Sequence, residues 1–138
     1  METGRSKLPI IVSIPFYTDD RGTLLPISIA GLPFDVKRIF TISKMKAWRK
    51  RGGHAHKECW QAIYCLEGLV VAKVRPVGSD KTETFVLTDP SDMLIVPAMN
   101  FITMENDREG TVILVLCSHD YDKEDYIYEN QPANSPIQ

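Results

Sequence analysis

The chain has 138 residues, 43% of them hydrophobic and 25% charged, which fits one soluble globular domain with a core of its own. A formal net charge of −2 argues against a general nucleic-acid or membrane-surface binder, which would carry an overall or clustered positive charge. The cysteines Cys59, Cys65 and Cys117 form no C-x-x-C pair and leave an odd one over, so neither a disulfide framework nor a zinc knuckle is expected.

Residues 1–7 are polar and carry no apolar run of the kind that opens a secretory leader, and the apolar run at 112–117 is far too short to span a bilayer. With reduced thiols this points to a cytoplasmic protein. From residue 10 onward the apolar segments are short, rich in β-branched residues and bounded by turn formers. Strands are predicted over 10–16, 34–42, 61–66, 69–74, 83–87, 93–96, 101–104 and 112–117. Turn signals separate them at Asp19-Asp20-Arg21-Gly22, Arg51-Gly52-Gly53, Glu67-Gly68, Pro76-Val77-Gly78-Ser79-Asp80 and Asp89-Pro90. Many short strands at regular spacing predict an all-β sandwich or barrel. The one place for a helical turn or two is 121–129, whose acids Asp120, Asp122, Glu124, Asp125 and Glu129 are expected to face water. No repeat and no second domain boundary is visible, so 1–138 reads as a single domain with loose ends at about 1–8 and 131–138.

The informative stretch is Arg51-Gly52-Gly53-His54-Ala55-His56-Lys57, followed by Gln61 and Gly68. Residues two apart on a strand share a face, so His54 and His56 project together while Ala55 turns away. Two neighbouring imidazoles are costly to bury unless their nitrogens have work, and that work is metal ligation or proton transfer. Around them, from Lys44 to Lys57, lie six basic residues (Lys44, Lys46, Arg49, Lys50, Arg51, Lys57) and no acid. Such a concentration suits a phosphate-bearing ligand, which guanidinium groups bind in a bidentate fashion. No series of exposed aromatics beyond Trp48 accompanies the charges, so a nucleic-acid reading stays weak.

These residues resemble the cupin superfamily, in whose first motif a glutamate and a glycine follow His-x-His. Gln61 stands at the glutamate position and Gly68 at the closing glycine. In the second motif Pro97 matches, Met99 stands at a glycine position and Ile102 at a histidine position. Two of the four usual metal ligands are therefore absent. An amide oxygen is a poor substitute for a carboxylate and Ile102 is none at all, so no metal and no other cofactor is expected. His119, in a polar Ser-His-Asp-Tyr turn, is the one further imidazole.

Within the cupins the chain resembles the nucleotide-sugar 3,4-ketoisomerases, which act on dTDP-4-keto-6-deoxyglucose in the synthesis of deoxyamino sugars such as those of lipopolysaccharide. The likeness rests on R-G-x-H-A-H-K at 51–57, on Q-A-I-Y-C-L-E-G at 61–68 and on the closing run from Ile113 to Ile127. It implies a cupin-type double-stranded β-helix, or jelly roll, that isomerises a dTDP-linked keto-sugar without a metal, through an enediol. It implies His56 as the base at carbon and His54 as a second group at the sugar oxygens. Arg51, Lys57, Gln61, Tyr64, Arg38 and Phe101 are the expected substrate contacts, and the expected assembly is a homodimer that covers sheet edges. The chain departs from the family in having Phe101 near a place often held by tryptophan, and in lacking a tyrosine often found on the 37–42 strand. Two other readings share the fold: a metal-dependent small cupin enzyme, and a non-catalytic sugar-nucleotide-binding cupin.

Overall fold

The computed structural model describes residues 8–129, so the loose ends expected about the termini fall, except for Leu8, outside the described residues. Twelve strands and two short 3₁₀ turns make up the described chain: β1 (Ile10–Ser13), β2 (Tyr17–Asp19), β3 (Gly22–Leu24), β4 (Arg38–Ile42), β5 (Lys50–His56), β6 (Gln61–Glu67), β7 (Val70–Pro76), β8 (Glu83–Leu87), β9 (Asp92–Val96), β10 (Asn100–Asn106), β11 (Val112–Cys117) and β12 (Tyr126–Tyr128). The turns are Ile29–Gly31 and Lys123–Asp125. Two five-stranded antiparallel sheets, in the orders β1-β9-β6-β11-β4 and β12-β5-β10-β7-β8, face each other, and β2-β3 forms a separate hairpin. This is the predicted jelly-roll barrel.

Alternation along the strands builds the barrel. On β6 the odd-numbered Ile63 and Cys65 enter the core between the sheets, with Val70, Val74, Leu94, Ile102, Ile113 and Val115. The even-numbered Ala62 and Tyr64 face outward instead. The N-terminal segment covers that outer face with Val12, Ile14, Leu25, Ile27, Leu32, Phe34 and Val36, forming a second cluster. Both faces of this sheet are thus buried, which explains why β6 reads as a continuous apolar run. Each large side chain fully withdrawn from water there is worth about 1.5–3 kcal/mol.

Eight predicted strands match observed ones, with boundaries moved by up to four residues. The 10–16 strand stops at Ser13 and the 34–42 strand begins at Arg38, because the Pro-containing segments before and after them pack as irregular backbone in the outer cluster. The Asp19-Asp20-Arg21-Gly22 signal turned out to join a hairpin, with Gly22 at φ 132. The helical turn expected in 121–129 is only the 3₁₀ turn at Lys123–Asp125, and the chain then becomes β12, paired to the histidine strand. Met99, at the glycine position of the second cupin motif, takes φ 67, a conformation that ordinarily calls for glycine. Its amide donates to the His56 carbonyl at 2.7 Å and its carbonyl accepts from Val77, so the tight turn locks onto the end of β5.

Candidate active site

The histidines sit on β5 between β10 and β12. His54 lies opposite Ile102 on one side and Tyr128 on the other, and His56 lies opposite Tyr126. The two imidazoles share a face as the spacing predicts, their centroids 5.2 Å apart and their planes nearly perpendicular. Both residues are more than nine-tenths buried.

A bulge controls what else shares that face. Pairing with β10 runs Ile102 to His54 and then Thr103 to Gly52, which leaves Gly53 unpaired. Gly52 and Gly53 take φ 99 and 84, a backbone that other residues rarely adopt. The extra residue re-phases the strand. Arg51, three positions from His54, faces the same way because its partner Met104 and the partner of His54, Ile102, are two apart on β10. A Cβ on Gly52 would run into the Ile102 carbonyl.

Arg51, Gly52 and His54 line a cavity of about 200 Å³ with Arg38, Phe40, Thr41 and Ile42 of β4, Gln61 of β6, Ile102 and Met104 of β10, and Tyr126 of β12. The Arg38 guanidinium lies over the rings of Phe40 and Tyr121, 4.9 and 5.6 Å from their centroids. Gln61 aims its amide at Cys117 Sγ, 3.8 Å away. The Tyr126 ring rests against both imidazoles, 4.5 Å from His54 and 4.7 Å from His56. Four of the expected residues therefore meet here: Arg38, Arg51, His54 and Gln61.

Burial, and then the neighbouring His56, pushes the His54 pKa down to about 4, against an opposing backbone hydrogen bond at Gly52. At neutral pH His54 is an uncharged imidazole, able to accept a proton. Its Nδ1 is buried and unpartnered, as is Nε2 of His56. The other nitrogen of His56, Nδ1, lies 2.9 Å from Asp125 Oδ2. That carboxylate also accepts the backbone N–H of Glu58 at Oδ1 and of Cys59 at Oδ2, while the Asp125 carbonyl accepts the N–H of Lys57. An ionised carboxylate only accepts, so Nδ1 of His56 is the donor in this pair.

Several expectations fall elsewhere. His54 lines the cavity, while His56, its ring centroid 5.2 Å from that of His54 on the same face of β5, does not. Asp125 does not face water. The 3₁₀ turn folds it back under β5, with its side chain only 13% exposed. Tyr64 is wholly buried in the outer cluster with its hydroxyl against Met93 Sδ, 2.8 Å away; being an odd number of residues from Gln61, it points to the opposite side of β6. Phe101 alternates with Ile102 and faces away from the barrel interior, under the Arg75 guanidinium at 4.7 Å. Arg75 in turn pairs with Glu129. Lys57 follows the end of β5 and borders surface grooves with Glu58 rather than the histidine cavity. His119 is half exposed, 2.7 Å from Ser118 Oγ and 3.8 Å from Glu58, and lines those outer grooves. Sequence reasoning missed Tyr126 and Asp125 as site residues, although both lie in the closing run that carried the resemblance.

The donor set does not fit a cupin metal. Beside the two histidines stand an amide turned to a thiol and the apolar Ile102, and one nitrogen of His56 is committed to Asp125. Among the described residues no three His, Cys, Asp or Glu side chains converge.

A jelly roll with a histidine pair, two arginines and a tyrosine converging inside one end is a cupin-type β-barrel of the sugar-nucleotide-isomerase kind. The chain belongs to the FdtA family, described as WxcM-like, C-terminal, whose profile it matches over residues 7–134. It is 31% identical over 123 residues to the TDP-4-oxo-6-deoxy-alpha-D-glucose-3,4-oxoisomerase of Aneurinibacillus thermoaerophilus, with 87% of each chain covered. The solved structure of QdtA, a sugar 3,4-ketoisomerase from Thermoanaerobacterium thermosaccharolyticum in complex with TDP, superimposes with a TM-score of 0.81 at 33% identity, covering 88% of both chains. The TDP-quinovose 3,4-ketoisomerase WlaRB of Campylobacter jejuni does so with a TM-score of 0.81 at 27% identity, over 90% of this chain and 95% of that one.

Proposed function

We propose that this chain is a TDP-sugar 3,4-ketoisomerase, which moves a ketone between C4 and C3 of a dTDP-4-keto-6-deoxy sugar. The observation that carries the reading is an uncharged, buried His54 on the wall of a cavity that also presents Arg38 and Arg51, in a chain similar to such enzymes along almost its whole length. Removing the C3 proton alpha to a ketone needs a positioned base and a way to hold the enediolate oxygen. His54 is the base. The His56–Asp125 pair stands beside it and fixes the imidazole arrangement. Arg51 and Arg38 supply cations for the diphosphate and for the developing oxyanion, and Gln61 lends a neutral amide to the cavity wall.

No metal takes part in this scheme, and activity should survive exhaustive chelation. The deciding experiment incubates the chain with dTDP-4-keto-6-deoxyglucose in D₂O and follows the sugar by NMR. A 3-keto product carrying deuterium at C4 supports the reading. Absence of both product and exchange at C3, with TDP still bound, would leave a sugar-nucleotide-binding cupin. The homodimer is part of the same proposal: among the described residues β1 and β4 are the edge strands of their sheet, and they expose Ile10, Ile11 and Ile39. Light scattering returning a monomer at working concentration would remove it. No helix among the described residues is long and apolar enough to cross a membrane.

A further inference from the structure

Two of the three cysteines meet beside the site, and the isomerase chemistry uses neither. Pairing of β6 with β11 sets Gln61 opposite Cys117, and the Ser118 N–H, bonded to the Trp60 carbonyl at 3.0 Å, carries that register one residue further. Cys59, two before Gln61, therefore stands diagonal to Cys117 on the inner face of the sheet. Both belong to the core between the sheets, and their thiols hydrogen-bond to each other. Each also touches the site. The Cys59 N–H donates to Asp125 Oδ2, the oxygen beside His56 Nδ1, and Cys117 Sγ accepts from the Gln61 amide at 3.8 Å.

We propose that Cys59 and Cys117 form a modification site, in which a hydroperoxide joins them in a disulfide that loosens the His56–Asp125 pair and silences the adjoining cavity. The steps balance. The Cys59 thiolate attacks one oxygen of the peroxide, the O–O bond breaks, and the departing hydroxide takes up a proton and leaves as water. The product is a sulfenic acid. The sulfur of Cys117 then attacks that of Cys59, the S–O bond breaks, and the Cys117 proton leaves with the hydroxide as a second water. Two thiols have lost two electrons, and the peroxide has gained them.

The surroundings divide the labour between the two sulfurs. The Cys117 thiol donates to Cys59 and, with the neighbouring His56 and the His119 backbone N–H, holds the Cys59 pKa below that of a free thiol against the opposing effect of burial. The Cys117 pKa is raised, by Cys59 and by burial, so the proton stays there until the second step. Cys65 is the contrast: burial pushes its thiol up to about 11, which leaves it inert. Cys59 lies between Glu58 and Trp60, which line an open surface groove, so a small oxidant reaches it more readily than a bulky one. A disulfide needs Cβ atoms about 3.5–4.5 Å apart, closer than a diagonal pair stands in a regular sheet. The segment that must yield is the irregular backbone at 57–60, and it carries the Glu58 and Cys59 N–H groups that hold Asp125. Closing the bond therefore displaces the carboxylate that orients His56, and it strips the proton-bearing thiol from beside Gln61. A bond formed under such strain is readily reduced again.

The test treats the reduced full chain with stoichiometric hydrogen peroxide, alkylates the remaining thiols and maps the unreduced peptides by mass spectrometry. Chymotrypsin, cutting at Trp60 and Tyr64, separates Cys59 from Cys65. The expected result is a Cys59–Cys117 link within one chain, with Cys65 alkylated. The ring-nitrogen NMR shifts of His56, which report its bond to Asp125, should change with the link and return on adding dithiothreitol. Turnover of dTDP-4-keto-6-deoxyglucose should fall by about 10–100-fold, the scale on which an outer hydrogen bond to a working histidine acts, and recover with the same reductant. Cys117→Ser should form no link and should leave a sulfenic acid at Cys59 that dimedone traps. Cys59 and Cys117 both recovered as alkylated thiols, or a link through Cys65 or between chains, overturns the assignment. A Cys59–Cys117 link that leaves the His56 shifts unchanged overturns its effect on the site. The mapping and the His56 shifts stand apart from the ketoisomerase reading, which falls instead if the reduced wild type turns over no sugar.

Discussion

Asp125 Oδ2 lies 2.9 Å from Nδ1 of His56, and the same carboxylate is held by the backbone N–H groups of Glu58 and Cys59. The backbone bonds fix the acceptor and the acceptor fixes the imidazole. Asp125→Asn breaks this logic, since an amide must turn an NH₂ toward either a backbone N–H or the ring. The expected result is a loss of about 1–3 kcal/mol of stability in denaturant unfolding. kcat should fall and TDP affinity should persist. A variant as active and as stable as the parent would show that the pair orients nothing.

That carboxylate also marks the limit of what the sequence reveals. The histidine pair was legible because a period of two survives any error in strand boundaries, and the jelly roll followed from short strands between turn signals. Asp125 was one of five acids in a hydrophilic stretch, and only a long-range fold-back brings it 69 residues along the chain to His56. Arg51 shares the His54 face through a bulge at Gly53 that simple alternation would deny. Tyr64 and Phe101 are the opposite case. Each differs by an odd number from a cavity residue on its own strand, Gln61 or Ile102, so alternation alone would have turned both away.

The bulge makes Gly52 indispensable. Gly52→Ala places a methyl group against the Ile102 carbonyl on a backbone at φ 99. Strain at such a position costs about 1–3 kcal/mol. The denaturation midpoint should fall accordingly, and activity should fall further than stability explains, because re-phasing β5 moves Arg51 relative to His54. Gly53→Ala has open space around it and should cost less. Equal unfolding curves for Gly52→Ala and the parent would place the close approach elsewhere.

Arg51 borders the cavity in a stretch of the chain without acids. Arg51→Ala should weaken TDP binding by about 1.5–3 kcal/mol, the worth of a charge-assisted hydrogen bond, and should raise KM more than it lowers kcat. Calorimetry with TDP and steady-state kinetics read these separately. An unchanged KM with a collapsed kcat would move Arg51 from the diphosphate to the enediolate.

The depressed pKa of His54 makes a prediction about pH with a definite sign. The folded value is about 4 and the ordinary value is 6.5. Above pH 6.5 the imidazole is neutral in both the folded and unfolded chain, and its contribution to stability is fully present. As pH falls from 6.5 toward 4 the unfolded chain takes up the proton first, so stability drains away across that window, by up to about 3 kcal/mol, and levels off below it. His54→Asn should remove this part of the slope. The same displacement governs catalysis. A base that protonates only near pH 4 stays competent through the whole mildly acidic range, so the acid limb of kcat/KM, which reports the free enzyme, should lie well below 6.5. Rates measured after brief exposure to each pH, with recovery on return to neutrality, separate titration from unfolding. An acid limb near 6.5 would mean that the proton at carbon is taken by a better-solvated group than the histidine on the cavity wall.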